Sequence, residues 1–236
     1  MKKLLEMFKG STRTSNPLSH FAWISEPEDT KTKVRKIKGE FTEEGALRLS
    51  FDTGIRTEIQ AIAQALINRN SKCDRPCQFG FGAQYAFYHY LNFFASHAKF
   101  RFEHDDVFGS GYNLTSDFHI FFPKRSFWLE IKSVPPTYSN CHYYAPMWST
   151  YPDYATVIRC LDEEMQNYEV YGYCTGEDVQ KVIPKPAYKN VYHEMPTTRA
   201  FFRPYSEFHT KILKLPLLER FDNEHYTQEE TEKTEE

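Results

Sequence analysis

The sequence predicts an α/β protein built on a mixed central β-sheet flanked by helices, and three observations carry that prediction. Apolar residues recur at helical spacing in two stretches, from Ile55 to Leu66 and from Ala83 to Phe94. Beyond them, short aromatic and β-branched runs at 99–103, 112–122 and 127–133 are set off by turn residues. Hydrophobic residues make up 40% of the chain and aromatics 17%, too much large apolar surface for a disordered polymer. A chain of 236 residues is expected to organise around one main core.

The elements follow in order. Residues 10–50 mix Ser, Thr, Pro and charge; Lys33-Val34-Arg35-Lys36-Ile37-Lys38 fits a basic edge strand or an arm, so 1–50 reads as a basic N-terminal extension. Asp52 or Thr53 caps a helix over 54–69, in which Ile55, Ile59, Ile62, Ala63 and Leu66 form one stripe. A loop with Cys73, Pro76, Gly80 and Gly82 leads to a second, largely buried aromatic helix over about 83–97, with Gln84, Tyr88 and Asn92 on its other face. Three strands come next, the last two joined as a hairpin across Pro123-Lys124-Arg125-Ser126 and stopped by Pro135-Pro136. Tyr154, Val157, Ile158, Leu161, Met165 and Tyr168 predict a helix over 153–167, feeding a short strand from Val170 to Cys174. Prolines then divide the chain into short pieces, with one helix from Tyr205 to Leu215. The main domain is placed at 51–218, with its core at about 80–175.

Charge and cysteine usage narrow the function classes. The net charge of −3 hides an acidic end: 219–236 carries Glu219, Asp222, Glu224, Glu229, Glu230, Glu232, Glu235 and Glu236 against Arg220 and Lys233. That segment reads as an acidic disordered tail on a mildly basic body, a balance that suits either a polyanionic partner or an ordinary solvated surface. No apolar run reaches membrane-spanning length, and the start of the chain is too charged for a signal peptide. An intracellular protein, cytoplasmic or in the nucleoid or nucleus, is expected, with no membrane partner. The 5 cysteines then read as free thiols rather than a disulfide set or a metal cluster. No phosphate-cradling glycine loop or nucleophile elbow occurs.

The hairpin carries the chemistry. In a strand, residues two apart share a face, so Trp128, Glu130 and Lys132 point one way and Phe127, Leu129 and Ile131 the other. On the partner strand Thr115, Asp117 and His119 share a face. A two-residue turn at Pro123-Lys124 or at Lys124-Arg125 sets Asp117 opposite Glu130 or opposite Lys132, and both registers gather the three charges on one face. A three-residue loop without a bulge would send Asp117 to the other face. Two carboxylates and a lysine on an apolar hairpin are costly unless compensated. A hard cation such as Mg²⁺, with Mn²⁺ as a substitute, would compensate them, and the Ile131 carbonyl offers a further oxygen. Such an ion would polarise a phosphate while Lys132 orients a water or offsets developing charge.

Asp117 followed by Glu130-x-Lys132 on the next strand resembles the signature of the PD-(D/E)xK nuclease superfamily, whose members include restriction endonucleases, resolvases and repair nucleases. The predicted order of helix 83–97, strand 99–103, hairpin, helix 153–167 and strand 170–174 is similar to that family's common core. The resemblance implies a restriction-endonuclease-like fold and a Mg²⁺-dependent endodeoxyribonuclease. Asp117, Glu130 and Ile131 would bind the metal, and Lys132 would assist the attacking water. Ser116 stands where the family often has proline, and Gln84 where many members carry a glutamate ligand. Gln84 is therefore a candidate to complete the site, with Glu103, Asp105, Asp106 or Glu58 as possible replacements. The implied partner is nucleic acid, DNA ahead of RNA, and a homodimer is a further expectation. Two other readings stay open: RNA cleavage, and an inactive nuclease fold that only binds nucleic acid or protein. A plain cross-strand ion pair would also explain the three charges. Basic residues at Lys31–Lys38, Lys124-Arg125 and 181–203 would add salt-sensitive affinity.

Overall fold

The computed structural model describes residues 37–69, 75–95, 98–104, 116–137, 140–143, 151–183, 185–187, 190–196, 198 and 200–222. Its main sheet runs β12 (Arg220–Asp222), β1 (Ile37–Phe41), β2 (Leu47–Phe51), β8 (Asn167–Thr175), β7 (Tyr154–Cys160), β5 (Arg125–Val134), β4 (Phe118–Phe122) and β3 (Arg101–His104), with β11 (Arg203–Pro204) also on β8. Every pairing is antiparallel except β5 with β7, which run parallel with Glu130 beside Ala155 and Lys132 beside Val157. A parallel neighbour requires a crossover. Here the crossover contains β6 (Asn140–Tyr143), which joins β10 (Asn190–Pro196) and β9 (Lys185–Ala187) in a second, three-stranded sheet. The mixed sheet with helices is the α/β class that the sequence predicts.

Two apolar layers hold the sheet. On one face α1 (Thr53–Arg69) and α2 (Arg75–Ala95) pack Ile55, Ile59, Ile62, Tyr85, Phe87, Tyr90, Leu91 and Phe94 onto Leu47, Leu49, Phe118, Ile120, Leu129 and Ile131. The short α4 (Tyr205–Glu207) and the π-helical turn Phe208–Ile212 complete that layer. Asp52 starts α1 by accepting from Ile55 N at 2.9 Å. On the other face Val134, Ala155, Val157, Tyr171 and Cys174 pack with Val179 of α3 (Gly176–Lys181), Met195 of β10 and Phe202. Among the described residues no helix is long and apolar enough to cross a membrane.

Four expectations are corrected. The helix predicted over 153–167 is strand β7, followed by a turn and the start of β8. Ala155, Thr156, Val157 and Ile158 are all buried, and a strand covered on both faces loses the alternation that marks strands in sequence. Residues 37–50 are no arm in the described part: β1 and β2 form a hairpin inside the sheet, and β12 places Arg220–Asp222 there too, so the sheet extends past both ends of 51–218. Gly45 makes the β1–β2 turn at φ +75°, where a Cβ would lie 2.5 Å from Ser206 Oγ. Helix α2 starts at Arg75 rather than 83, passing through Gly80 and Gly82. A Cβ at Gly82 would meet Met165 Sδ at 2.9 Å, so close packing rather than chain reversal accounts for that glycine. The predicted helix 205–215 is shortened to α4 and its π turn. Residues 1–36, 105–115 and 223–236 lie outside the described residues, and with them Lys31–Lys36, Asp105, Asp106 and most of the acidic tail.

Candidate active site

β4 and β5 form a hairpin closed by a two-residue turn at Pro123-Lys124, pairing Phe122 with Arg125, His119 with Trp128 and Phe118 with Leu129. Continued by one residue, this register sets Asp117 opposite Glu130. Residue 117 is a bend, however, and β4 begins only at Phe118, while β5 runs on to Val134. The β4-side edge of β5 therefore has no strand partner from β4 beyond Leu129. In such a pairing the N–H and C=O of one residue point to the same side, so Ile131 presents both to this gap. Its N–H donates to Asp117 Oδ2 at 2.6 Å, and Gln84 Nε2 on α2 donates to Asp117 Oδ1 at 2.7 Å. Asp117 thus caps the edge of β5 beyond Leu129 and ties it to α2. The Ile131 carbonyl opens on that same edge.

Glu130 and Lys132 stand on the face turned away from α1 and α2. Their side chains are 16% and 20% exposed, and Lys132 Nζ donates to Glu130 Oε1 at 2.5 Å. In the next row His119 stacks on Trp128 with ring centroids 3.9 Å apart and planes 13° apart. Asp153 Oδ2 accepts from Trp128 N at 2.7 Å, which fixes the start of β7 against β5. No protein-family model, curated protein or solved structure matches this chain. The geometry of the hairpin therefore carries the functional reading by itself.

The sequence-predicted residues fall into two linked groups: Gln84, Asp117 and the Ile131 backbone at the strand edge, and the Glu130–Lys132 ion pair one residue to either side of Ile131. The expectation that all three charges point to one face holds for Glu130 and Lys132. The bend at 117 turns its carboxylate toward α2 and the β5 backbone. Of the possible additions, Glu103 is exposed on β3 opposite His119. Glu58 lies on α1 with its Oε1 3.9 Å from His89 Nε2. His104 faces the aromatic layer against Tyr85, Tyr88 and Phe118, where burial holds its imidazole neutral with a pKa lowered to about 3. Cys160 and Cys174 are buried, and burial pushes the Cys160 thiol up to about 12, the behaviour of an inert core cysteine. Asp153 and the His119–Trp128 stack were not singled out from sequence. The stack was legible once the turn was assigned, because that register pairs the two residues directly.

Among the described residues no group of three or more His, Cys, Asp or Glu side chains is placed to hold a metal ion. The fit of Mg²⁺ therefore depends on oxygens of other kinds. The Oε1 of Gln84 is buried and finds no hydrogen-bond partner among the described residues, although its own Nε2 is held on Asp117. A buried acceptor without a donor is unfavourable. A hard cation or one of its waters at this corner would satisfy it. Carboxylate, carbonyl and carboxamide oxygens form a donor set of the kind such cations prefer, so the residues fit the ion.

Proposed function

We propose that the protein is a metal-dependent nuclease that hydrolyses phosphodiester bonds in DNA, built on a restriction-endonuclease-like core. The observation that carries this reading is the corner where the Gln84 carboxamide, the Asp117 carboxylate and the Ile131 backbone meet, next to the Glu130–Lys132 pair. Helix α2, strand β3 and the β4–β5 hairpin follow in the order of that core, whereas β7 stands where a second helix was expected.

Asp117, Glu130 and the Ile131 carbonyl would hold Mg²⁺ or Mn²⁺, with Gln84 completing the set; bound there, the ion supplies Lewis-acid activation of the phosphate and of the attacking water. The rest of the task falls to the chain. Two N–H donors fix the Asp117 carboxylate, so it need not reorganise as charge develops. Lys132 brings an ammonium held in place by Glu130, able to hydrogen-bond a water or to offset negative charge on the phosphate. Ile131 lends rigidity, since β5 is pinned by β7 along one side and by Asp117 on the other.

The test is cleavage of circular and linear duplex DNA, single-stranded DNA and RNA with Mg²⁺, Mn²⁺ or EDTA. Cutting of DNA that requires the metal supports the proposal, and failure to cut any DNA under these conditions refutes it. A second reading, an inactive nuclease fold that only binds, is favoured by one observation: the Glu130 and Asp117 carboxylates already have donors from Lys132, Gln84 and Ile131. It predicts binding of equal strength with and without EDTA and no cutting.

A further inference from the structure

We propose that the outward face of β3, β4 and β5 is a track for single-stranded DNA, running from the hairpin tip to the Asp117–Glu130–Lys132 corner. It builds on the nuclease reading of that corner and names the form of substrate the corner would receive.

The observations are a charge distribution and a row of rings. At the tip, a cleft of about 640 Å³ is lined by 98–101 and 121–126; its ionisable lining residues are Lys99, Arg101, Lys124 and Arg125, with no acid among them. Arg125 is directed elsewhere, donating to Ile212 O and lying over Phe122. Lys99, Arg101 and Lys124 are exposed and suit phosphates. From there Phe121, His119 and Trp128 continue along the same face: the His119 ring lies 3.9 Å from Phe121 and 3.9 Å from Trp128, and Arg101 lies 5.3 Å over Phe121. The next row brings Glu130 on this face, with Asp117 at the strand edge turned toward α2, and Glu103 is the exposed acid beside His119. All three rings are partly exposed. Among the described residues, α1, α2 and α4 cover the opposite face, and α3 with β10 packs over the β7–β8 part of this one.

A cationic mouth and a half-exposed aromatic ladder are the two elements that bind single strands: bases stack on rings only when they are free of a complementary strand, and cations follow the backbone. Duplex DNA hides its base faces and would gain only the cationic contacts. The occupant is therefore a single strand, laid so that its backbone reaches the corner after its bases pass Trp128.

The experiment is fluorescence anisotropy of the full chain with a labelled oligothymidylate in EDTA, where no cutting complicates binding. Wild type is compared with Trp128→Ala, Trp128→Phe and the triple variant Lys99→Ala/Arg101→Ala/Lys124→Ala. Loss of one stacking partner should weaken binding roughly fivefold to a hundredfold in Trp128→Ala, with Trp128→Phe retaining most of the affinity. The triple variant, changed only at exposed positions, should flatten the slope of log K against log salt by about 2. A duplex of the same length should bind more weakly than the single strand. Unchanged affinity in Trp128→Ala overturns the track, as does an unchanged salt slope in the triple variant or tighter binding of the duplex or of the matching RNA. The two readings fail separately. A track without metal-dependent cutting removes the nuclease, and cutting with binding indifferent to Trp128 removes the track.

Discussion

Replacing Asp117 by Ala and by Asn separates the structural work of this residue from its chemistry. Its carboxylate accepts from Ile131 N and Gln84 Nε2, at 2.6 and 2.7 Å. Alanine removes both acceptors and leaves two donors unpaired at a partly buried corner. With hydrogen bonds to charged groups contributing roughly 1.5–3 kcal/mol each, reduced here by water access, Asp117→Ala should cost about 2–4 kcal/mol. Asparagine behaves differently. Its Oδ1 accepts from Ile131 N, and the Gln84 carboxamide can turn so that its Oε1 accepts from the new Nδ2. The Ile131 N–H stays paired, and the turned carboxamide exchanges one buried unpaired atom for another, so Asp117→Asn should cost about 1–2 kcal/mol, less than Asp117→Ala, while removing the negative charge and with it any metal-dependent cutting. Urea unfolding followed by intrinsic fluorescence measures both values. Equal destabilisation by Asn and Ala would refute the hydrogen-bond account, and so would an Ala variant as stable as wild type.

Other outcomes follow from the same geometry. Burial holds His104 and His209 neutral, at about 3 and about 4 against 6.5 in the open chain, so the unfolded state takes up protons first. Stability should be full above pH 6.5 and fall as the pH drops toward the folded values, by about 2 kcal/mol per histidine at about pH 5; a melting temperature constant from pH 7 to 5 would contradict this. His209 also receives the Tyr90 hydroxyl on Nδ1 at 2.5 Å and donates from Nε2 to Pro216 O at 2.8 Å, so Tyr90→Phe should cost about 1–3 kcal/mol in urea unfolding by leaving Nδ1 unpaired. A Cβ on Gly39 would fall 2.0 Å from the Phe221 ring; Gly39→Ala should destabilise by about 1–3 kcal/mol, and the added change Phe221→Ala should relieve part of that strain, which a double-mutant cycle would detect.

The parts legible in sequence were those where one period dominates. Helix 54–69 is α1 to within a residue because its stripe is amphipathic and Asp52 caps it. The hairpin itself was legible from the alternation on either side of its turn, and of the two registers that the sequence left open the structure selects the turn at Pro123-Lys124. Strand β7 was lost because both its faces are covered. The β1–β2 hairpin was lost because its two strands are short, and Gly39 stands at an inward position where its neighbour Phe221, far along the chain, supplies the apolar bulk. At the candidate site, residue types and spacing singled out Asp117, Glu130, Ile131 and Lys132, and the resemblance to the nuclease superfamily added Gln84. What spacing could not convey is that β4 begins only at Phe118, so that Asp117 before it bends onto the Ile131 N–H.

The most direct measurement of the central claim is single-turnover DNA cleavage in Mg²⁺ by wild type, Asp117→Asn and Lys132→Ala, each first shown to be folded at the assay temperature. The hairpin account predicts rapid cutting by wild type that EDTA abolishes and a loss of at least about a hundredfold in each variant, in the range of a missing electrostatic contact to the transition state. Cleavage by Asp117→Asn at the wild-type rate would contradict it and would leave Asp117 as a cap on a strand edge.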